Sequence, residues 1–106
     1  MTGEELRQIL RDKWGYSYDV QLRCIGEGKN RRVQLQVMWR YQEQASFPLT
    51  ELDYLQHLQK VATYLREWGL VAEFRQFISQ CKSRPRLGKP VVMFLDLGDR
   101  AGEWLV

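Results

Sequence analysis

Two stretches of apolar–polar alternation, joined by a short glycine-containing segment, constrain this chain more than any other feature. Tyr16, Tyr18, Val20, Leu22 and Cys24 alternate with Ser17, Asp19, Gln21 and Arg23. Val33, Leu35, Val37, Trp39 and Tyr41 then alternate with Gln34, Gln36, Met38 and Arg40. A period of two places one set on each side of an extended strand, and no helix holds such a set on one face. With Gly26 to Asn30 as the turn, the two runs predict an antiparallel hairpin with one greasy face and one polar face. The polar face presents Asp19, Gln21, Arg23, Gln34, Gln36 and Arg40 as a flat array.

A sheet that is apolar on one side needs a cover, and the rest of the chain supplies helices. Thr2 and Glu5 form a capping box ahead of Leu6, Ile9, Leu10 and Trp14, predicting a helix over Gly3 to Lys13 that Gly15 stops. Gln42 to Leu49 is a connection ending at Pro48. Thr50 and Asp53 then make an imperfect capping box. The stripe Leu52, Leu55, Leu58, Val61, Ala62, Leu65 and Trp68 follows, and Gly69 ends it. Leu70, Val71, Phe74, Phe77, Ile78 and Cys81 continue at helical spacing, so a third helix is expected to pack on the second as a hairpin-like unit. Ser83 to Pro90 reads as loop. Val91 to Leu97 reads as a strand covered on both faces or lying centrally, and Gly98 to Val106 as a helical turn tucking in Trp104 and Leu105.

The order is α-β-β-α-α-β and the expected class is α+β. A right-handed crossover through helices two and three lays the third strand parallel to a hairpin strand, in a small mixed sheet with helices packed on one face. Trp39, Leu55, Leu58, Phe74 and Phe94 are expected in one core. At 106 residues the chain makes one domain, 1–106, able to bury a core without disulfide or metal staples. The longest uninterrupted apolar run, Val91 to Leu95, has five residues, against roughly 20 for a membrane-spanning helix. Met1 to Arg11 mixes acids, bases and leucines, with no apolar core of a signal peptide, which leads to an expected cytoplasmic location and no membrane partner.

Charge is distributed more tellingly than its sum of +3. Lys82 to Pro90 holds four bases and no acid, and Arg23 to Arg32 holds four bases against Glu27 alone, so these two stretches exceed the net charge of the whole chain. The remainder is acidic, and the surface is expected to be lopsided. Arginines outnumber lysines 11 to 5, and guanidinium suits bidentate contact with carboxylate or phosphate. Lys29, Arg31, Arg32, Arg84, Arg86 and Lys89 are therefore the candidate partner-binding residues, weighed against the plainer reading of solvated loop charge. On either reading they are expected to be dispensable for stability.

Catalytic motifs are missing from the pattern. Cys24 and Cys81 lack zinc spacing and fall on apolar phases, which suits buried thiols in a reducing compartment. A helix followed by a hairpin and later a parallel strand resembles the core of restriction-type nucleases, and Asp19 would be the first acid of such a site. Gln34, Leu35 and Gln36 stand where a Glu-x-Lys belongs, and amides bring no charge to Mg²⁺. His57, the single histidine, has no serine or cysteine one turn away to activate and is expected at a rim or in solvent. Gly88-Lys89 lacks the frame of a phosphate loop and runs into Pro90. Trp14, Trp39, Trp68 and Trp104 could stack on bases, but their phases place at least three in the core. No catalytic, cofactor-binding or metal-ligating residue is assigned, and the reading leans away from an enzyme.

The strings SYDVQ (Ser17 to Gln21), VMWRYQEQASFPLTE (Val37 to Glu51), EWGL (Glu67 to Leu70) and RPRLGKPV (Arg84 to Val91) carry a resemblance. The chain resembles a small uncharacterised domain family, a domain of unknown function, of cyanobacteria and plant plastids. The likeness runs from about Leu6 to Trp104 and is most specific over Tyr41 to Glu51. It implies a bacterial cytosol or plastid stroma and a role in photosynthetic cells. The missing transit peptide favours a cyanobacterial version, and the family carries no activity to transfer. The expected function is a small binding or assembly-type module whose basic loops recognise an acidic protein surface. Nucleic-acid binding comes second, and a nuclease-like fold without an intact metal site third.

Overall fold

The computed structural model of the chain describes residues 1–26 and 32–96. Its elements are α1 (Gly3–Trp14), β1 (Tyr18–Ile25), β2 (Arg32–Tyr41), α2 (Glu51–Glu67), α3 (Val71–Gln80) and β3 (Val91–Leu95), an α+β fold in the expected order. Most of the expected turn at Gly26 to Asn30, and the C-terminal turn with Trp104 and Leu105, lie outside the described residues.

The N-cap half of each expected capping box forms. Thr2 Oγ1 accepts the Glu5 N–H at 3.1 Å and Thr50 Oγ1 accepts the Asp53 N–H at 3.1 Å, satisfying amides that the first helical turn leaves unpaired. Gly69 ends α2 with φ 69°. There its N–H donates to the Arg66 carbonyl at 3.1 Å, and the Leu70 N–H reaches back to Leu65 O at 2.8 Å. This double closure needs the left-handed conformation that glycine adopts without strain, and it lets α3 begin almost at once.

The sheet runs β1-β2-β3 and is antiparallel throughout, where a mixed sheet with a parallel third strand was expected. Val91 pairs with Val37 and Leu95 with Val33, so β3 starts beside the end at which β2 leaves the sheet. One intervening helix returns a chain to the starting end and makes the next strand parallel. Two helices carry this chain out and back, which reverses the parity.

β3 is also one-sided, in place of a strand covered on both faces. Val91, Met93 and Leu95 are buried, whereas Phe94 is 66% exposed and lies outside the core expected for it. The cause is position: β3 is the last strand of a sheet that helices cover on one face. Trp39 leaves the core for another reason. Tyr18 pairs with Tyr41 and Val20 with Val37, so Met38, Trp39 and Arg40 together oppose Asp19, and this irregularity shifts the phase of β2. Trp39 is left half-buried. Leu58 and Phe74 are fully buried in the shared core, and Leu55 stays half-buried at its margin. α1 is the helix that joins the layer, packed on α2 and also on α3, rather than α2 and α3 forming a unit by themselves.

Ser83 to Pro90 is loop, as expected, with one turn closed inside it. Arg86 and Lys89 exchange both backbone hydrogen bonds, at 3.0 and 2.7 Å, around Leu87 and Gly88, whose φ is 74°. Leu87 stands 85% exposed at the tip. Cys24 and Cys81 are free thiols, each half-buried rather than enclosed.

Ser17 belongs by alternation to the polar phase, yet it is fully buried. Glu43, from the connection after β2, accepts its N–H at 2.7 Å and its hydroxyl at 2.8 Å, and takes Arg11 at 3.2 Å. Partial burial pushes the Glu43 carboxyl up, but the Ser17 amide, the Ser17 hydroxyl and the Arg11 guanidinium together hold it below its ordinary value. A carboxylate whose folded pKa is depressed stabilises the fold above its unfolded value, 4.5, and that contribution disappears as pH falls through the folded value. The parent is therefore expected to exceed Glu43→Gln in stability by a constant margin above about pH 5.5, with the margin closing on acidification. Urea unfolding of both proteins across the acid range checks this, and a margin that persists at the lowest pH would contradict it.

Candidate functional site

α1 and α3 bring their C-terminal ends to the same region, each with partial negative charge from unpaired carbonyls. Arg84 Nη2 donates to the Trp14 carbonyl at 3.1 Å, and Lys13 Nζ donates to the Ser79 carbonyl at 3.3 Å. Trp14 Nε1 donates to the Ser83 carbonyl at 3.1 Å and fastens the segment after α3 against α1. Between these elements and the start of β3 lies a cleft of about 910 Å³. Trp14 and Phe77 provide its apolar wall, and Lys13, Lys82, Arg84, Arg86 and Lys89 its charge, with no carboxylate in the lining among the described residues.

The five cations divide into two kinds. Lys13 and Arg84 are held on helix ends. The side chains of Lys82, Arg86 and Lys89 make no hydrogen bond or ion pair among the described residues, and all three are exposed. Arg84 thus has a partner within the fold, the Trp14 carbonyl, which Lys82, Arg86 and Lys89 lack among the described residues.

Of the six residues singled out by sequence, Arg84, Arg86 and Lys89 meet in this cleft. Arg32 does not join them. It pairs with Ile25 at the far end of the hairpin, beyond the Val33–Leu95 pair, whereas the cleft adjoins Val91 at the opposite end of β3. Four residue steps of strand separate those ends, about 13 Å. Lys29 and Arg31 lie outside the described residues. Sequence reasoning missed Lys13, Trp14 and Phe77 as cleft residues. Lys13 did carry a signal, being a base in the last turn of a helix.

A second hollow, of about 450 Å³, opens between the β1 side of the sheet face opposite the helices and the connection into α2. Trp39, Arg40, Phe47 and His57 wall it, and Arg23 reaches it from the sheet. His57 is at the rim, as expected, and it has partners: its Nε2 bonds the Val20 carbonyl and lies 3.7 Å from Asp19 Oδ1. Asp19, the acid considered for a nuclease site, accepts the Val20 N–H at 3.0 Å and the Gln21 amide at 3.5 Å. Gln36 donates to Gln34 at 3.0 Å where that site would need carboxylate and lysine. Among the described residues no group of three or more His, Cys, Asp or Glu side chains is placed to hold a metal ion. No described helix is long and apolar enough to cross a membrane.

A family model described as a domain of unknown function, DUF3067, matches residues 4–105. The chain is also similar to the Alr2454 protein from the cyanobacterium Nostoc sp. strain PCC 7120, known from a solution NMR structure. The two are 56% identical, with 100% of this chain and 98% of that chain covered and a TM-score of 0.82. No curated protein matches the chain.

Proposed function

Because the chain belongs to the family described as a domain of unknown function, DUF3067, we propose its role from the site alone: a small binding module that recognises an acidic protein surface. One observation carries this reading, the cleft lined by five cations and, among the described residues, by no carboxylate. Three of those cations have no partner among the described residues, so they meet an incoming carboxylate without breaking a bond described in the fold. Such a field steers association and gives discrimination against basic surfaces. Trp14 and Phe77 add an apolar wall of the kind that anchors interfaces. The Nostoc relative supports placing the module in a photosynthetic cell, and the cytoplasm, or in plants the plastid stroma, completes the reading.

The test uses Arg86→Glu with Lys89→Glu and leaves Arg84 in place. Tagged parent and variant are passed through a cyanobacterial extract, and captured proteins are purified and mixed with each form in stopped flow. The double variant is expected to unfold within about 0.5 kcal/mol of the parent. It is expected to associate at least about tenfold more slowly at low salt and to lose most of the salt dependence. A partner that binds both forms at one rate would reduce the cleft to ordinary solvated surface.

A further inference from the structure

We infer that the sheet face opposite the helices is a binding site for single-stranded nucleic acid, separate from the basic cleft in both place and ligand. The helices occupy one side of the sheet. On the other, Arg23, Gln34 and Phe94 stand in a row across all three strands, since Arg23 pairs with Gln34 and Gln34 with Phe94. Gln21, Gln36 and Val92 form the next row.

Phe94 is the anomaly from which the argument starts. Its ring is 66% exposed, makes no ring contact among the described residues and stands among amides, so the core does not explain it. An aromatic ring lying open on a sheet face is a stacking platform for a base, and stacking tolerates any base because each has a π-face. Beside it, Gln36 Nε2 donates to Gln34 Oε1, which among the described residues leaves the Gln34 amino group and the Gln36 carbonyl open as a donor and an acceptor for base edges.

Charge on this face suits phosphate. Arg23 and Arg40 are exposed, and Arg40 has no hydrogen bond or ion pair among the described residues. Asp19, the carboxylate beside them, also lines the adjoining hollow, with its side chain 15% exposed and its oxygens engaged by the Val20 N–H, the Gln21 amide and His57. The face then runs into the 450 Å³ hollow, where Trp39 and His57 offer a second aromatic surface beside Arg40. That volume lies at the low end of the range that encloses small ligands, which suits one extruded base. The irregularity in β2 turns Trp39 and Arg40 toward this hollow, and displacements of that kind cluster beside functional sites. A strand laid across the face stacks one base on Phe94, meets the glutamine amides, and seats another base against Trp39 with its phosphates on Arg23 and Arg40.

Fluorescence anisotropy with a fluorescein-labelled oligouridine of about ten nucleotides tests this on the full chain. Binding is expected at low salt, with an affinity that falls log-linearly as salt rises. Phe94→Ala, at an exposed position, is expected to keep the parent's thermal unfolding and weaken binding about tenfold or more. Arg23→Ala with Arg40→Ala is expected to flatten the salt dependence, and Arg86→Glu with Lys89→Glu to leave affinity within about twofold of the parent. Lack of binding, a silent Phe94→Ala, loss in the cleft variant, or equal affinity for a duplex of the same length would each overturn the proposal. The results with Phe94→Ala and with Arg23→Ala and Arg40→Ala are independent of protein recognition by the cleft, because Phe94, Arg23 and Arg40 lie outside its lining.

Discussion

Replacing Leu58 with alanine is expected to lower the free energy of unfolding by about 2 to 5 kcal/mol, the range for truncating an enclosed leucine. Leu58 is fully buried on the face of α2 that meets the shared core, and its neighbours there include residues from both helices and strands. Alanine is the better helix former, but that advantage amounts to a few tenths of a kcal/mol. The lost burial and the residual cavity therefore decide the sign. Urea denaturation measures it, with an unchanged slope and a lower midpoint as the expected result. A change below about 0.5 kcal/mol, the scale of surface substitutions, would mean that this face of α2 is not the one packed inward.

The second large effect comes from the smallest side chain. Gly3 opens α1, and a Cβ placed there would lie 2.7 Å from the Gln59 nitrogen, 3.0 Å from the Gln59 Cα and 3.0 Å from the Leu55 oxygen. All three atoms are backbone of α2, so no rotamer change relieves the contact. Gly3 N–H also donates to Gln59 Oε1 at 2.9 Å, and Leu6 and Leu10 further along α1 are fully buried, so a displaced α1 disturbs more than one site. Inside a helix alanine gains up to about 1 kcal/mol over glycine, and less at the first position. Overpacking against an immobile neighbour costs about 1 to 3 kcal/mol, so Gly3→Ala is expected to destabilise the protein by an amount in that range. Thermal and denaturant unfolding provide the check. A neutral or stabilised variant would show that α1 slides freely on α2.

These effects rest on features of differing visibility in the sequence. Alternation at Val33, Leu35 and Val37 identified β2 and its buried side, because a period of two is a local property. The same alternation misplaced Trp39, since the extra residues opposite Asp19 belong to the pairing of two strands and leave no mark on one strand's own pattern. Phe94 was misjudged because a short apolar run does not distinguish a strand covered on two faces from one covered on a single face. Strand order and direction decide that, and direction here followed from the number of helices crossed. The basic segment 82–90 was legible as charge. What divided Arg84 from Arg86 was not, because the Trp14 carbonyl that holds Arg84 lies 70 residues away. Ser17 and Glu43, 26 residues apart, were hidden for the same reason.

The position of α2 along β1 has a consequence for how copies of this protein meet. Tyr54 donates its hydroxyl to the Tyr18 carbonyl at 2.8 Å and His57 bonds the Val20 carbonyl, so a helix lies where an added strand would have to sit. Burial, and then the nearby charges of Asp19 and Glu43, raise the Tyr54 hydroxyl above its ordinary pKa and keep it a donor across the physiological range. β3, at the other edge, has no strand beyond it among the described residues. A sheet with two open edges can extend without limit, copy upon copy. With one edge obstructed, pairing through the described strands joins β3 to β3 about a two-fold axis and consumes both open edges, so edge-to-edge growth stops at a pair and does not propagate into a fibre.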